Sequence, residues 1–137
     1  MKTTDDIQND FPEFFKPLYT HTDSKTFRFY FETGKGWNDI IYDTCAKLKA
    51  TGWDGFFIQI KQKFAELRMY STGMTAEQFK ILAEAEDKAS VTCEFCGEPG
   101  ILRKDMGWLN IKCDVCKKEH DEYREKKIQE YKEKQNA

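Results

Sequence analysis

Histidine is scarce in this chain, and its scarcity narrows the chemistry that the chain can perform. His21 and His120 are the two histidines among 137 residues, and neither belongs to an HExxH motif or a credible catalytic triad. A glycine-rich phosphate loop is also missing. We therefore expect no enzyme. A metal-dependent nuclease or nucleotide-processing enzyme stays the least favoured alternative, because it needs an open metal site or an activated base.

Long apolar runs are missing as well. No stretch approaches the roughly 18 apolar residues that a membrane-spanning helix requires, and the first ten residues are polar and acidic, unlike a signal peptide. We therefore expect a cytoplasmic protein without membrane contact. In that reducing compartment, paired cysteines are more often metal ligands than disulfides.

An excess of charge of either sign is the third absence. The chain has 22 basic and 24 acidic residues, for a net charge of -2, whereas a dedicated duplex-DNA binder usually has a basic excess. Aromatic residues, in contrast, make up 15% of the chain and include 11 phenylalanines. A disordered chain would not carry so many aromatics, and the length corresponds to about one domain.

The first half of the chain predicts a strand followed by a helix. In the N-terminal segment, the prolines argue against a long helix, and an apolar cluster predicts a short turn packed on the body. That cluster consists of Phe11, Phe14, Phe15, Leu18 and Tyr19. Phenylalanines then alternate with polar residues from 27 to 32, as in a half-buried strand, which Gly34 and Gly36 end. Asn38 is the predicted N-cap of the next helix.

That helix places Ile41, Cys45 and Leu48 on one face. Cys45 is expected to be a small core residue rather than a nucleophile, because it has no local catalytic partner. His21 falls in a polar loop, where we expect a solvated side chain.

Residues 56–70 allow two predictions. We favour a hairpin with its connection near Gln62 to Glu66 and with Ile58 and Ile60 on one face, because residues 56–60 are strongly β-like. The alternative is one helix from Gln59 to Tyr70.

A clearer helix follows the hairpin. Thr75 and Gln78 form a capping box at its start. Its predicted apolar stripe consists of Phe79, Leu82, Ala83 and Ala89.

Four of the five cysteines form two CxxC pairs with 16 residues between them, Cys93 with Cys96 and Cys113 with Cys116. This spacing is typical of zinc ribbons and knuckles. Two such turns at the ends of a short hairpin would close a tetrahedron of sulfurs around one structural Zn²⁺, with no open position. A redox pair is the rival, but it would require a CxxC that opens a helix in a βαβ unit, and the sequence predicts no such context.

Residues around the cysteines fit the same prediction. Gly97 suits a backbone that turns amides toward the sulfurs, and residues 101–104 and 108–112 are the two predicted hairpin strands. Trp108 is suited to cover the site. His120 is a less favoured alternative ligand.

The last segment predicts a charged helix with i,i+4 pairs Glu122–Lys126 and Glu130–Lys134. His120, Tyr123, Ile128 and Tyr131 lie on one broad side. This side could pack on the body, pair with a second copy to form a homodimer, or bind a partner. Trp108, Tyr123 and Tyr131 are the predicted partner contacts.

Nucleic-acid binding is the alternative function, since basic side chains beside aromatics can bind phosphates and stack on bases. The predicted phosphate contacts are Lys61, Lys63, Arg68, Arg103, Lys104, Lys112, Lys117 and Lys118.

Four stretches of the chain together resemble a family of small, mostly uncharacterised proteins encoded by bacteriophages and prophages. They are FETGKGWNDIIYDTCAKL, IQIKQKFAELRMY, AEAEDKASVTCEFCGEPG and WLNIKCDVC. The resemblance implies a phage origin, with the host cytoplasm as location, and a zinc site at the paired cysteines. The chain departs from the family at Ala65 and Glu66, where a glycine is expected after Lys-Phe, which places the tight-turn form of the hairpin in doubt.

These observations predict an α+β fold, with a small antiparallel sheet, packed helices, a zinc-ribbon hairpin and a C-terminal helix. Residues 1–92 form the predicted body, and residues 93–137 the zinc ribbon and final helix, joined to the body as one compact unit. The predicted function is that of a non-enzymatic, zinc-binding phage accessory protein. It would bind a host or host-defence macromolecule, for example to inhibit a bacterial immune complex.

Overall fold

The α+β fold is confirmed by a computed structural model that describes residues 1–17, 27–104 and 107–136. Leu18, Tyr19 and His21, about which the sequence made predictions, lie outside the described residues. The α-helices are α1 (Thr4–Asp10), α2 (Asn38–Ala50), α3 (Ala76–Ala89) and α4 (Asp114–Gln135). The strands are β1 (Phe31–Glu32), β2 (Phe57–Lys63), β3 (Glu66–Ser71), β4 (Ile101–Arg103) and β5 (Asn110–Lys112).

Two sheets are present among the described residues. The larger has the order β1-β2-β3, and the smaller is the antiparallel β4-β5 hairpin. The larger sheet is mixed rather than wholly antiparallel, because β1 pairs with β2 in parallel. A parallel pair needs a crossover connection, and α2 lies in the chain between these two strands.

The core contains side chains from the N-terminal segment, α2, α3 and the larger sheet. Ile7, Phe14, Trp37, Ile41, Leu48 and Ile60 are fully buried. The alternation predicted for residues 27–32 appears in their burial, since Phe31 is buried and Tyr30 is 80% exposed. Paired strand structure is nevertheless limited to Phe31–Glu32.

The N-terminal segment contains a helix that the sequence did not predict. α1 begins with a capping box between Thr3 and Asp6, which satisfies backbone amides at the helix start. A 3₁₀ turn, Pro12–Phe14, follows it. Phe11, Phe14 and Phe15 are buried, so the predicted apolar attachment of this segment is correct for the described residues.

Asn38 is not the N-cap of α2, and that prediction was wrong. Trp37 occupies the cap position without a side-chain capping bond. Asn38 is buried, and its amide donates to the carbonyl of Lys2 at 3.0 Å. The side chain therefore joins the N-terminus to α2. The predicted apolar face is correct, because Ile41, Cys45 and Leu48 are all fully buried.

The hairpin prediction for residues 56–70 is confirmed, but Ile58 and Ile60 do not share a face. Phe57 pairs with Ser71 and Gln59 with Tyr70, so β2 carries one extra residue at this point. Such a β-bulge resets the alternation of side chains. As a result, Phe57 and Ile60 are buried and Ile58 is 49% exposed.

The connection of the hairpin is the tight turn that the missing glycine had placed in doubt. Phe64 and Ala65 lie between β2 and β3 with φ values of 54° and 67°, as a two-residue type I′ turn requires. Residues with side chains adopt this left-handed conformation at a cost. Phe64 is 70% exposed, so little packing offsets that cost.

Replacing Phe64 with asparagine is therefore expected to raise the free energy of unfolding by about 1 kcal/mol. The gain would be measured by urea unfolding. Phe64→Leu is the control, because it removes the ring but keeps an unfavourable residue at a positive φ. Equal stability of the two variants would contradict the explanation from backbone conformation.

The capping box of Thr75 and Gln78 at the start of α3 is confirmed, but the predicted apolar stripe is only partly correct. Ala89 is buried and Leu82 packs against the core, whereas Ala83 is exposed. Ala85, Ala89 and the polar Gln78 face the core, whereas Phe79 is 54% exposed. Gln78 can be buried because its side chain donates to Thr51 Oγ1 at 3.0 Å and accepts from the backbone of Thr75. These polar contacts orient the helix differently from what its apolar residues alone indicate.

Candidate metal centre

The first cysteine pair lies in the turn that follows α3. The amide of Gly97 donates to the carbonyl of Cys93 at 3.0 Å, and the amide of Cys93 donates to the carbonyl of Glu98 at 2.7 Å. Gly97 has a φ of 82°, the left-handed conformation that was predicted for it and that glycine adopts readily. The turn therefore holds Cys93 and Cys96 close together.

The second pair lies at the start of α4 rather than in a second hairpin turn. Cys113 is the N-cap of α4, and its sulfur accepts from the amide of Cys116 at 3.3 Å. This CxxC does open a helix, contrary to the prediction. The preceding strand β5 belongs to an antiparallel hairpin, however, so the βαβ context of a redox pair is still not found here.

The four sulfurs have the spacing that one metal ion needs. Those of Cys93, Cys96, Cys113 and Cys116 all lie within 4.8 Å of one another. Ligands about 2.3 Å from a tetrahedral zinc ion would be about 3.8 Å apart, and the sulfurs of Cys96 and Cys113 are separated by 3.6 Å. All four are free thiols in the structure. The cluster can hold one metal ion, and His120 is not part of it.

The surroundings of the sulfurs give them different affinities for protons. Burial alone would raise the pKa of Cys93, but backbone hydrogen bonds at Cys113, Phe95 and Cys96 bring that pKa down to about 7. Burial and the neighbouring thiols raise the pKa of Cys116. Because a thiolate is the form that binds metal, the lowered pKa of Cys93 favours coordination by its sulfur.

A buried cation lies beside the cluster. Lys112 is 3% exposed, and its ammonium group lies 4.4 Å from the ring centre of Phe95. Burial lowers the pKa of Lys112, while the charges of Cys116 and Cys93 oppose that shift. Four thiolates around a divalent ion carry a net charge of -2, and the ammonium group would partly neutralise it.

The first cysteine turn rests directly on two glycines of the body. The carbonyl of Glu94 accepts from the amide of Gly36 at 2.7 Å, and its carboxylate accepts from the amide of Gly34 at 3.0 Å. A Cβ atom on Gly36 would lie only 2.6 Å from the carbonyl carbon of Glu94. Gly34 and Gly36 therefore allow two backbones to approach closely, and they do more than end a strand as predicted.

Glu94 also joins the cysteine module, which we define as residues 93–116, to the β2-β3 hairpin. Gln62 donates to the carboxylate of Glu94 at 3.3 Å and to the carbonyl of Leu109 at 2.8 Å. The amide of Glu94 donates to the carbonyl of Ile111 at 2.9 Å. Burial is the main cause of a raised pKa at Glu94. Sequence reasoning missed these residues, although a carboxylate inside a CxxC turn and the GKG segment were visible signals.

Trp108 and His120 lie together at the edge of the module. Their rings make an edge-to-face contact with 5.9 Å between centroids. Trp108 is 54% exposed, so it presents a large aromatic surface to solvent. His120 lies in the second turn of α4.

The predicted nucleic-acid contacts divide into two groups. Lys61 and Arg68 face each other across β2 and β3, with the exposed Lys63 on the same hairpin, and Arg68 pairs with Glu66. At the module, Arg103 pairs with Asp114 at 2.7 Å and Lys117 with Asp121 at 2.8 Å. Lys112 is buried, while Lys104 and Lys118 are exposed. The eight cations therefore do not form one surface.

α4 extends from the module with an exposed surface. None of its residues is buried, and Tyr123 and Tyr131 are 61% and 65% exposed. The ion pairs between described residues of α4 itself are Lys117–Asp121 and Lys127–Glu130 instead of the two predicted pairs. Within the described ranges, no helix is long and apolar enough to cross a membrane.

Cys45 lies apart from the cluster. It is fully buried among apolar side chains of the core, and burial raises its pKa. The predicted location of this thiol in the core is therefore confirmed. A buried thiol with a raised pKa is also unreactive.

No protein-family model, no curated protein and no solved structure matches the chain. The centre is thus defined by its own geometry, as a four-cysteine cluster beside a two-stranded hairpin on an α+β body.

Proposed function

We propose that the chain is a non-enzymatic zinc-binding protein that uses its final helix to bind another macromolecule. The resemblance of four of its segments to small phage proteins supports a phage accessory role. A protein of the bacterial host, or of its defence systems, is the proposed target. The cysteine module and the body would act as one unit in the host cytoplasm.

Zinc is the proposed metal because the donor set consists of four sulfurs. Four thiolates at tetrahedral spacing suit Zn²⁺ and fill its coordination. An ion without an open position cannot activate water or polarise a substrate. Its role would be to fix the start of α4 relative to the β4-β5 hairpin and to the first cysteine turn.

One observation carries the proposed binding role, namely that α4 is long and unburied while its start is tightly held. Twenty-two residues span about 33 Å at 1.5 Å per residue. Its exposed Tyr123 and Tyr131, with Trp108 at the near end, are residue types enriched among the main contacts of protein interfaces. A charged helix without a buried residue gains little stability for the fold, so its aromatic residues are better explained by a partner.

Site-specific photo-crosslinking tests the proposal. A benzophenone amino acid placed at Tyr123 or Tyr131 is expected to form a protein adduct in a bacterial lysate, and excess unlabelled wild-type chain should compete it away. The same group at Gln129, which is exposed on the opposite side of α4, is the control. Adducts at all three positions, or at none, would contradict the proposed surface.

The same experiment addresses the nucleic-acid alternative. That alternative predicts nuclease-sensitive adducts and an affinity that falls steeply with salt. We expect neither, because Arg103, Lys112 and Lys117 are engaged with the protein itself.

A further inference from the structure

The charges of α4 are separated between two sides of the helix, although they balance in number. The helix contains seven basic and seven acidic residues. C-terminal to Cys116 and His120, which lie in the same sector, five side chains fall within a sector of about 100° at about 100° per residue, and none of the seven carboxylates does. We name this sector the basic stripe; it consists of Tyr123, Arg124, Lys127, Tyr131 and Lys134.

The basic stripe is open to solvent and begins at the metal centre. All five of its residues are exposed, and the contact between Trp108 and His120 continues it toward the cysteines. The ammonium group of Lys127 lies 5.5 Å from the ring centre of Tyr123. Glu130 borders the stripe and reaches Lys127 at 3.5 Å. Cations and aromatic rings therefore lie next to one another along one side of the helix.

From this separation we propose that the basic stripe binds an acidic polypeptide segment, which names the chemical class of the partner in the proposed function and rests on it. Carboxylates of such a segment would pair with Arg124, Lys127 and Lys134, while the tyrosine rings pack against its aliphatic parts. Complementary charge of this kind selects a partner and accelerates association.

Two other occupants fit the stripe less well. A second copy that aligned its own stripe would bring three cations against three cations, which is unfavourable. A nucleic-acid backbone reaches beyond a narrow line of contacts, and there it would meet the carboxylates of Glu130 and Asp121 at the borders of the stripe. An acidic segment that contacts the stripe alone avoids both conflicts.

Two matched charge reversals test the proposal on the full-length chain with its metal bound. The stripe variant is R124E/K127E/K134E. The control is K118E/K126E/K132E, which reverses the same number of exposed cations on the other side of the same helix. Both variants have the same net charge, so they differ only in where the charge lies. Circular dichroism and zinc content would show that both remain folded.

The probe is fluorescently labelled poly-L-glutamate, with binding measured by anisotropy at low and high salt. Wild type and control are expected to bind it with similar affinity, and the stripe variant at least about tenfold more weakly. Added salt should weaken wild-type binding, because exposed charges are screened. Equal losses in both variants, or no binding by wild type, would overturn the proposal.

Two parallel measurements test whether nucleic acid or a second copy of the chain occupies the stripe instead. Labelled oligothymidylate that binds in place of poly-L-glutamate would assign the stripe to nucleic acid. A dimer that sedimentation detects for wild type but not for the stripe variant would assign the stripe to a second copy of the chain. Either result overturns the acidic-segment proposal. A lysate protein that crosslinks at Tyr123 with full yield to the stripe variant would overturn it too, while leaving the proposed function intact.

Discussion

Serine in place of any one of the four clustered cysteines is expected to release the metal and unfold the cysteine module. The cluster joins the turn after α3 to the first turn of α4, and each sulfur would supply one of the four ligands of a bound ion. Changes outside the ligand set already reduce metal affinity by about 10–100-fold, so loss of a ligand should reduce it further. Zinc content of the purified chain, by elemental analysis, should be one equivalent for wild type and well below one for each variant.

The expected effect on stability is the largest in the molecule. Structural zinc contributes about 10–16 kcal/mol in zinc-finger peptides, which matches or exceeds the total stability of most domains. Removal of the metal by a strong chelator should lower the melting temperature by at least about 15 °C, and added zinc should restore it. The segments that should lose order are 93–116 and the first turns of α4.

Cys45→Ala is the matched control, because it also removes a thiol, but one buried in the apolar core. It should keep one equivalent of zinc, and its free energy of unfolding should fall only by the cost of the small cavity that the missing sulfur leaves. A chain that contains no metal, or a loss of metal in Cys45→Ala equal to that in Cys113→Ser, would show that the cluster is not a zinc site.

Local signals in the sequence were sufficient for much of the fold and for the four-cysteine cluster. The two CxxC pairs, the capping box at Thr75 and the β-rich segment 56–60 each act within a few residues, and the structure has the elements that they predict. A CxxC turn needs its cysteines, and a capping box needs its two side chains; neither depends on distant parts of the chain.

Predictions of which side chains face inward were less reliable, since they depend on tertiary contacts. The extra residue at Ile58 turned one isoleucine outward, and no local sequence pattern predicts this β-bulge. In α3 a buried glutamine, held by Thr51 and Thr75, occupies the inner face in place of Phe79. A polar residue with all its hydrogen bonds satisfied can be buried, but sequence alone does not show where its partners will be.

The contact between the module and the body was the least predictable feature. Gly34 and Glu94 are 60 residues apart in the chain, and the short approach between their backbones exists only in the folded state. The prediction that the GKG segment ends a strand is correct but incomplete. The second role of this segment follows from the absence of Cβ atoms, and this is where a single methyl group is expected to matter most.

Gly36→Ala is therefore expected to destabilise the protein by about 3 kcal/mol, although alanine is the smallest possible addition. The new Cβ would lie 2.6 Å from the carbonyl carbon of Glu94, which is backbone and cannot rotate away. Relief of the clash would break the 2.7 Å hydrogen bond from the amide of Gly36 to Glu94 and displace Cys93. The melting temperature should fall by roughly 10 °C, and a chelator should remove zinc from this variant faster than from wild type.

Gly73→Ala is the matched control for this effect. Gly73 has no atoms within 4 Å of the position that a Cβ would take and does not have a positive φ, so the same substitution there should be neutral or slightly stabilising. Because neither glycine needs a left-handed backbone, the difference between the two variants measures close approach alone. If both variants had the same melting temperature and kept their zinc equally well, the first cysteine turn could not be resting on Gly36 as described. If only Gly36→Ala loses zinc, the body positions Cys93 for the metal, and the metal centre and the core stabilise each other.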